Sequence, residues 1–345
     1  MSILLKRIAL AVTLSAWLTS VSAQSDKAWE YVNRVTASEH QITSEMLGYI
    51  SAVAHSKSAK KVSKERSEAI AAISAARAKA SHLPDFEGDS AMRVASYEYF
   101  NVCYVVMKED YGKIMDLEEI ADQSYDNMEA YIKAQELAND KESEAFDKFD
   151  RELRAFAAKH NITINEDNSK EGQQAKIAGQ VTKYTNNVFL TFYKCESNEK
   201  HLMEAIDKKD VNGIEQSKGA LVKSCQEALP KLQDIGGYES DLTMIDACKK
   251  LIAFYKSEAD KTPVMTDYII KNDNFQKLKT AMDKKGGGGS QDEVNKFNQA
   301  VNDINASVNT YNKTNNELNQ NRAKLVDNYN NTHQAFMAKH IPRHK

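Results

Sequence analysis

The chain has 345 residues, of which 41% are hydrophobic and 28% charged, with a formal net charge of −3. This composition is sufficient to bury a core, and its mixed-sign charge argues against the basic face of a nucleic-acid-binding protein. Four prolines and thirteen glycines, with few alternating apolar runs, leave little room for sheet, so the expected fold class is all-α.

The first residues read as an export signal. Lys6-Arg7, the apolar run Ile8 to Leu18 and Val21-Ser22-Ala23 before Gln24 match a charged n-region, a short h-region and a small-residue cleavage site. The run falls short of the ~20 apolar residues that span a bilayer, so residues 1–23 are expected to be removed as a signal peptide. Losing Lys6 and Arg7 moves the formal charge from −3 to −5. No cysteine follows the cleavage site for lipidation, and no later segment is apolar enough to cross a membrane. The expected location is the periplasm, cell surface or medium.

Past the signal, four helices are expected in a first unit at 27–55, 62–82, 90–110 and 113–160. The polar stretch 161–172 then separates it from a second unit with helices at 173–208, 213–234, 238–261, 264–284 and 291–340. An internal repeat underlies this division. Ala155-Phe156-Ala157-Ala158-Lys159-His160 recurs as Ala335-Phe336-Met337-Ala338-Lys339-His340 at an offset of 180, and Leu83 to Gly88 resembles Leu232 to Gly237 at an offset of 149. The predicted organisation is two tandem elongated four-helix-bundle-like repeats, residues 24–165 and 166–345. The second carries an insertion at 263–290 that ends in the flexible run Gly286 to Gly289.

Cys195 and Cys225 are equidistant from the turn signal Asp210-Val211-Asn212-Gly213, and Cys225 and Cys248 are nearly equidistant from Ile235-Gly236-Gly237. Either pair would lie at one height of an antiparallel helix hairpin, but only one pair can bridge. Such a bridge stabilises by ~3 kcal/mol in the chain-entropy model; small buried cysteines filling helix contacts are the competing reading.

The last helix carries a heptad seam, with Val294, Phe297, Val301, Ile304, Val308, Tyr311, Leu318 and Leu325 at alternating three- and four-residue spacing. Asn315 and Arg322 interrupt it. The other faces are rich in asparagine, a poor helix former, so packing of the seam must drive helix formation. The basic tail Lys339 to Lys345 reads as a solvated end.

The chemistry-bearing motifs are absent. No histidine has a glutamate three residues before it, and neither His-Glu-x-x-His, Cys-x-x-Cys, Gly-x-Ser-x-Gly nor a nucleotide-binding glycine pattern occurs. No catalytic residue, cofactor or metal site is predicted. Lys159-His160 and Lys339-His340 are explained as cations at helix C-termini. Aromatic residues clustered on the helices, among them Phe192, Tyr193, Phe254 and Tyr255, suit core packing or a groove for an apolar ligand.

The stretch Tyr311-Asn312-Lys313-Thr314-Asn315-Asn316-Glu317-Leu318, continuing to Phe336 and ending Ala338-Lys339-His340-Ile341-Pro342, resembles a family of exported bacterial all-helical surface proteins with no assigned activity. The resemblance implies an envelope or surface location and transfers no catalytic residues; the chain departs from lipid-anchored members in lacking the lipidation cysteine. The resulting expectation is a non-enzymatic interaction or structural module with a protein or envelope partner, oligomerisation included. The alternative is a periplasmic binding protein for a small apolar ligand.

Overall fold

The computed structural model describes residues 17–20, 26–56, 58–110, 114, 120–121, 124–165, 170–286 and 289–344. Within them the fold is all-α. The helices are α1 (Asp26–Thr36), α2 (Glu39–His55), α3 (Ala59–Ser81), α4 (Ala91–Val105) with a π-helical turn Val106–Asp110, α5 (Tyr125–Lys159), α6 (Lys170–Asp207), α7 (Val211–Ile235), α8 (Thr243–Lys284) and α9 (Gln291–His340). Two short antiparallel strands accompany them, β1 (Trp17–Ser20) and β2 (Ile162–Asn165). β1 falls inside the expected leader, most of which lies outside the described residues, as does the expected turn at 111–112.

Several boundaries differ from the sequence reading for local reasons. The helix expected at 27–55 breaks at Ala37-Ser38, where Thr36 and Ser38 offer the backbone side-chain competition and Thr36 Oγ1 bonds the Val32 carbonyl at 3.0 Å. The expected break at Thr262-Pro263 does not occur, so the 263–290 segment is no separate helix: Pro263 sits inside the 42-residue α8. Proline has no N–H for the carbonyl four residues back, which here belongs to Ala259. Thr262 Oγ1 donates to that oxygen at 2.8 Å, so the helix continues without an unsatisfied acceptor.

Two loops share one geometry. Phe86 pairs with Asp89 and Tyr238 with Asp241 across tight turns. Both central residues have positive φ in each, +50° and +85° at Glu87 and Gly88, +47° and +70° at Glu239 and Ser240. In each, the turn aspartate then accepts a hydrogen bond from the amide two residues on, at 3.0 Å. The structural equivalence runs at an offset of 152, not the 149 read from the sequence, because the turn and not the preceding Leu-x-Asp segment is the shared element.

Packing divides the chain into two units, cut differently from the two sequence copies: residues 187–332 form one, and the preceding residues together with 333–345 form the other. In the latter, α2 packs on α3, α3 on α4 and α4 on α5, around a core that includes Ile50, Ile73, Phe100, Tyr131 and Phe149. The rings of Phe156 and His160 meet at 4.4 Å, tilted by 40°, and those of Phe336 and His340 meet at 4.4 Å, tilted by 43°. The C-terminal tail is docked rather than solvated. Ile341 is buried, His55 Nε2 meets its carbonyl at 3.0 Å, Gln174 donates to the Arg343 carbonyl, and the His344 ring lies 3.0 Å from Ser44 Oγ.

In the unit formed by 187–332, α7 packs on α8 and the core is a stack of rings. Phe192 lies parallel to Tyr255 at 6.1 Å and to Tyr329 at 5.5 Å, all three fully buried.

Candidate functional site

The heptad seam acquires a specific setting in the 187–332 unit. Tyr268 of α8 stacks on Tyr311 of α9 at 4.2 Å, Phe275 faces Phe297 at 5.8 Å, and Lys285 Nζ bonds Glu293 at 2.5 Å, so the two helices run antiparallel. Burial first, then the charges of Tyr268 and Asp207, push the Tyr311 phenol up. Asp207 is the last residue of α6. From the Tyr268–Tyr311 pair outward α8 continues for 16 residues and α9 for 20, a two-helix arm of roughly 24–30 Å at about 1.5 Å per residue.

Two helices alone cannot enclose their own seam. Val294, Phe297, Val301, Ile304, Val308 and Tyr311 are only half-buried, as are Phe275, Leu278 and Met282 opposite them, and Ile270 is 56% exposed. Further along α9, Leu318 is buried and Leu325 half-buried. The six asparagines Asn295, Asn298, Asn302, Asn305, Asn309 and Asn312 are all exposed, so the arm presents a half-covered apolar stripe flanked by neutral hydrogen-bonding side chains.

Arg322, which sequence reading treats as a polar interruption of the seam, is the centre of a buried ion cluster. Its Nε lies 2.5 Å from Glu199 Oε1 of α6, and its Nη2 bonds Glu258 of α8. The Glu199 and Glu258 side chains are 6% and 1% exposed. Burial raises the Glu258 pKa to about 8, the neighbouring Glu199 charge adds to the rise, and Arg322 opposes it. Glu199 is also raised by burial, against Arg322. The Arg322 bonds go to Glu199 Oε1 and Glu258 Oε1, and Glu258 Oε2 has no hydrogen-bond partner. With its pKa near 8, Glu258 keeps a proton at neutral pH, which lessens the negative charge buried beside the guanidinium. Nothing in the sequence pairs Glu199 with Glu258, since each is one glutamate among many on a helix; a long cationic side chain at a seam position was the signal available. Arg322 engages both carboxyls and so ties three helices together.

The structure brings two of the three candidate cysteines side by side. All four cysteines are free and buried, and Cys195 and Cys225 are in side-chain hydrogen-bond contact, whereas Cys248 is buried on α8. The bond from Cys225 pulls the Cys195 thiol down, and that same bond together with burial pushes Cys225 up.

A groove of about 520 Å³ lies in the other unit between α4, the π-helical turn and α5. Tyr99, Val102, Val105 and Val106 form its floor. Lys141 bonded to Asp110 at 2.6 Å and Lys148 bonded to Glu98 stand on its rim. Among the described residues no group of three or more histidine, cysteine or carboxylate side chains is placed to hold a metal, and no helix is long and apolar enough to cross a membrane. No family model, curated protein or solved structure matches the chain.

Proposed function

We propose that this protein is a non-enzymatic interaction module of the bacterial envelope or cell surface, and that the α8–α9 arm is its contact element. The observation that carries this reading is the half-covered seam of the arm, where six apolar positions of α9 keep part of their surface in water. A helix laid along that stripe would bury the remainder, and full burial of such a side chain is worth about 1.5–3 kcal/mol relative to full exposure. Partial prior burial reduces that gain per residue, but the stripe has many residues. The partner is a helical protein, a second copy of this chain included.

Export is supported by the n-region, h-region and cleavage pattern of residues 1–23, and an envelope location by the resemblance carried by 311–342. The twin turns at 86–89 and 238–241 and the twin tilted Phe-His ring contacts at the ends of α5 and α9 support descent of the chain from two tandem copies of one helical unit.

Comparative capture from the host's envelope extract tests the reading, using the full mature chain and a variant in which residues 272–307 are replaced by a short Gly-Ser loop. Recovery of one partner by the full chain and its loss with the arm is the expected result. Equal recovery by both, or none by either, would count against it.

A second reading, a binding protein for a small apolar ligand, is favoured by the α4–α5 groove, whose apolar floor and charged rim suit a molecule with a short apolar body and a polar end. Native mass spectrometry of protein from its own host, showing extra mass that V102W or V105W removes, would support it.

A further inference from the structure

We propose that Cys195 and Cys225 form a redox-active pair that closes to a disulfide across the α6–α7 hairpin, leaving Cys103 and Cys248 as thiols. The register of the hairpin carries this independently of the thiols. Lys194 pairs with Glu227 at 3.4 Å, and Asn198 donates to the Ala220 carbonyl at 3.4 Å. Nearer the turn, a Cβ on Gly213 would touch Ala205 Cβ at 3.4 Å. In each of these pairs the residue numbers place the partners symmetrically about the turn, and the same symmetry sets Cys195 opposite Cys225, between the other contacts. Both side chains have zero exposure, and they already touch. A bridge needs facing Cβ atoms at short separation, and two thiols that meet at one height of a hairpin are the arrangement from which it can close. The competing Cys225–Cys248 pair would have to break this contact.

The oxidant is a small-molecule or protein disulfide, R–S–S–R. The Cys195 thiol gives up its proton, and its thiolate attacks one sulfur of the oxidant, expelling R–S⁻, which takes up a proton. The resulting mixed disulfide is resolved when the Cys225 thiolate attacks the Cys195 sulfur, releasing the second R–S⁻. Two thiols lose two protons and two electrons, and the oxidant gains both. Because neither cysteine is exposed in the folded unit, the exchange takes place while the hairpin is open, during folding or local unfolding. Once closed, the bridge lies one residue from Glu196 and one helical turn from Glu199, so it fixes the α6 segment that presents Glu199 to Arg322.

The test uses the full mature chain, unfolded and reduced, then refolded with oxidised and reduced glutathione, followed by alkylation in denaturant and intact-mass and peptide analysis. The expected result is two alkylated cysteines, a mass 2 Da lower than the reduced chain before alkylation, and one linked peptide pair containing Cys195 and Cys225. C195S and C225S each abolish the linkage, C103S and C248S leave it, and the midpoint of denaturation falls when reductant is added to the bridged protein. Four alkylated cysteines, or a linkage to Cys248, would overturn the proposal. Closure in glutathione with four free thiols in protein taken from its own host would uphold the pair and count instead against export to an oxidising compartment.

Discussion

Arg322 of α9 reaches Glu199 of α6 at 2.5 Å in a site where the carboxylate is almost wholly buried, and the same guanidinium holds Glu258 of α8. One cation thus ties three helices of the 187–332 unit together. Removing it leaves two buried carboxyls without a counter-charge, and breaking a buried pair from one side costs about 3–5 kcal/mol. R322L is expected to lose that much in urea unfolding. E258Q is expected to cost about 1 kcal/mol or less, because Glu258 is already protonated near neutrality and glutamine replaces it with little change in shape or charge. A loss for E258Q as large as that for R322L would show that Glu258 is ionised and not protonated.

Glu142 gives the other unit a pH dependence of definite sign. Burial pushes its pKa up from 4.5 to about 8, so between these values the unfolded chain releases a proton that the folded chain keeps. Stability from this group is fully present below about pH 4.5 and is lost as pH rises through about 8, on the order of 3–5 kcal/mol over the window. Chemical denaturation between pH 4.5 and 8 should show the decline, and E142Q should flatten it. Glu258 contributes with the same sign, so some slope persists in the variant. An unchanged slope in E142Q would refute the assignment.

Thr262 is expected to matter through one hydroxyl. T262V keeps the branched shape but leaves the Ala259 carbonyl facing Pro263 with no donor, at a cost of about 1–2 kcal/mol. T262S restores the donor and recovers most of it. Equal unfolding free energies for the two variants would remove the explanation for an uninterrupted α8.

The paired turns predict opposite signs for two glycine exchanges. Ser240 holds φ at +70°, a conformation that costs a non-glycine residue roughly 1–2 kcal/mol, so S240G is expected to stabilise by about 0.5–1 kcal/mol after the entropy of the more flexible unfolded chain is counted. Gly88 at +85° has nothing within 4 Å of an added Cβ, so G88A should cost about 1 kcal/mol from backbone strain alone. Denaturation midpoints for both variants check the pair.

The helical character of the chain was legible in its residues because scarce proline and glycine and a period near 3.6 are local properties. The helix over 291–340 was recovered with its limits, since Gly286 to Gly289 and Pro342 bracket a heptad that only Asn315 and Arg322 interrupt. Elsewhere the deciding interaction was not local in the pattern. A single threonine hydroxyl overrode the helix-breaking expectation at Pro263, and hydrogen bonds from α2 and α6 docked a tail whose basic composition suggested solvent. The cysteine symmetry limited the pairs to two, and only the contact across α6 and α7 distinguishes them. The Glu199–Glu258 pair was illegible because its members are 59 positions apart in the numbering, and no helical period connects them.

The arm is the central claim, and site-specific photo-crosslinking in the intact host envelope tests it most directly. A photoreactive residue is placed in turn at Phe297 and Val301 on the seam and at Asn298 and Asn305 on the exposed flank, with export and folding of each variant checked. The account predicts discrete protein adducts, to a second copy or to another helical protein, from the two seam positions and much weaker ones from the flank. Adducts of equal strength from all four positions, or none from the seam in correctly folded protein, would contradict it.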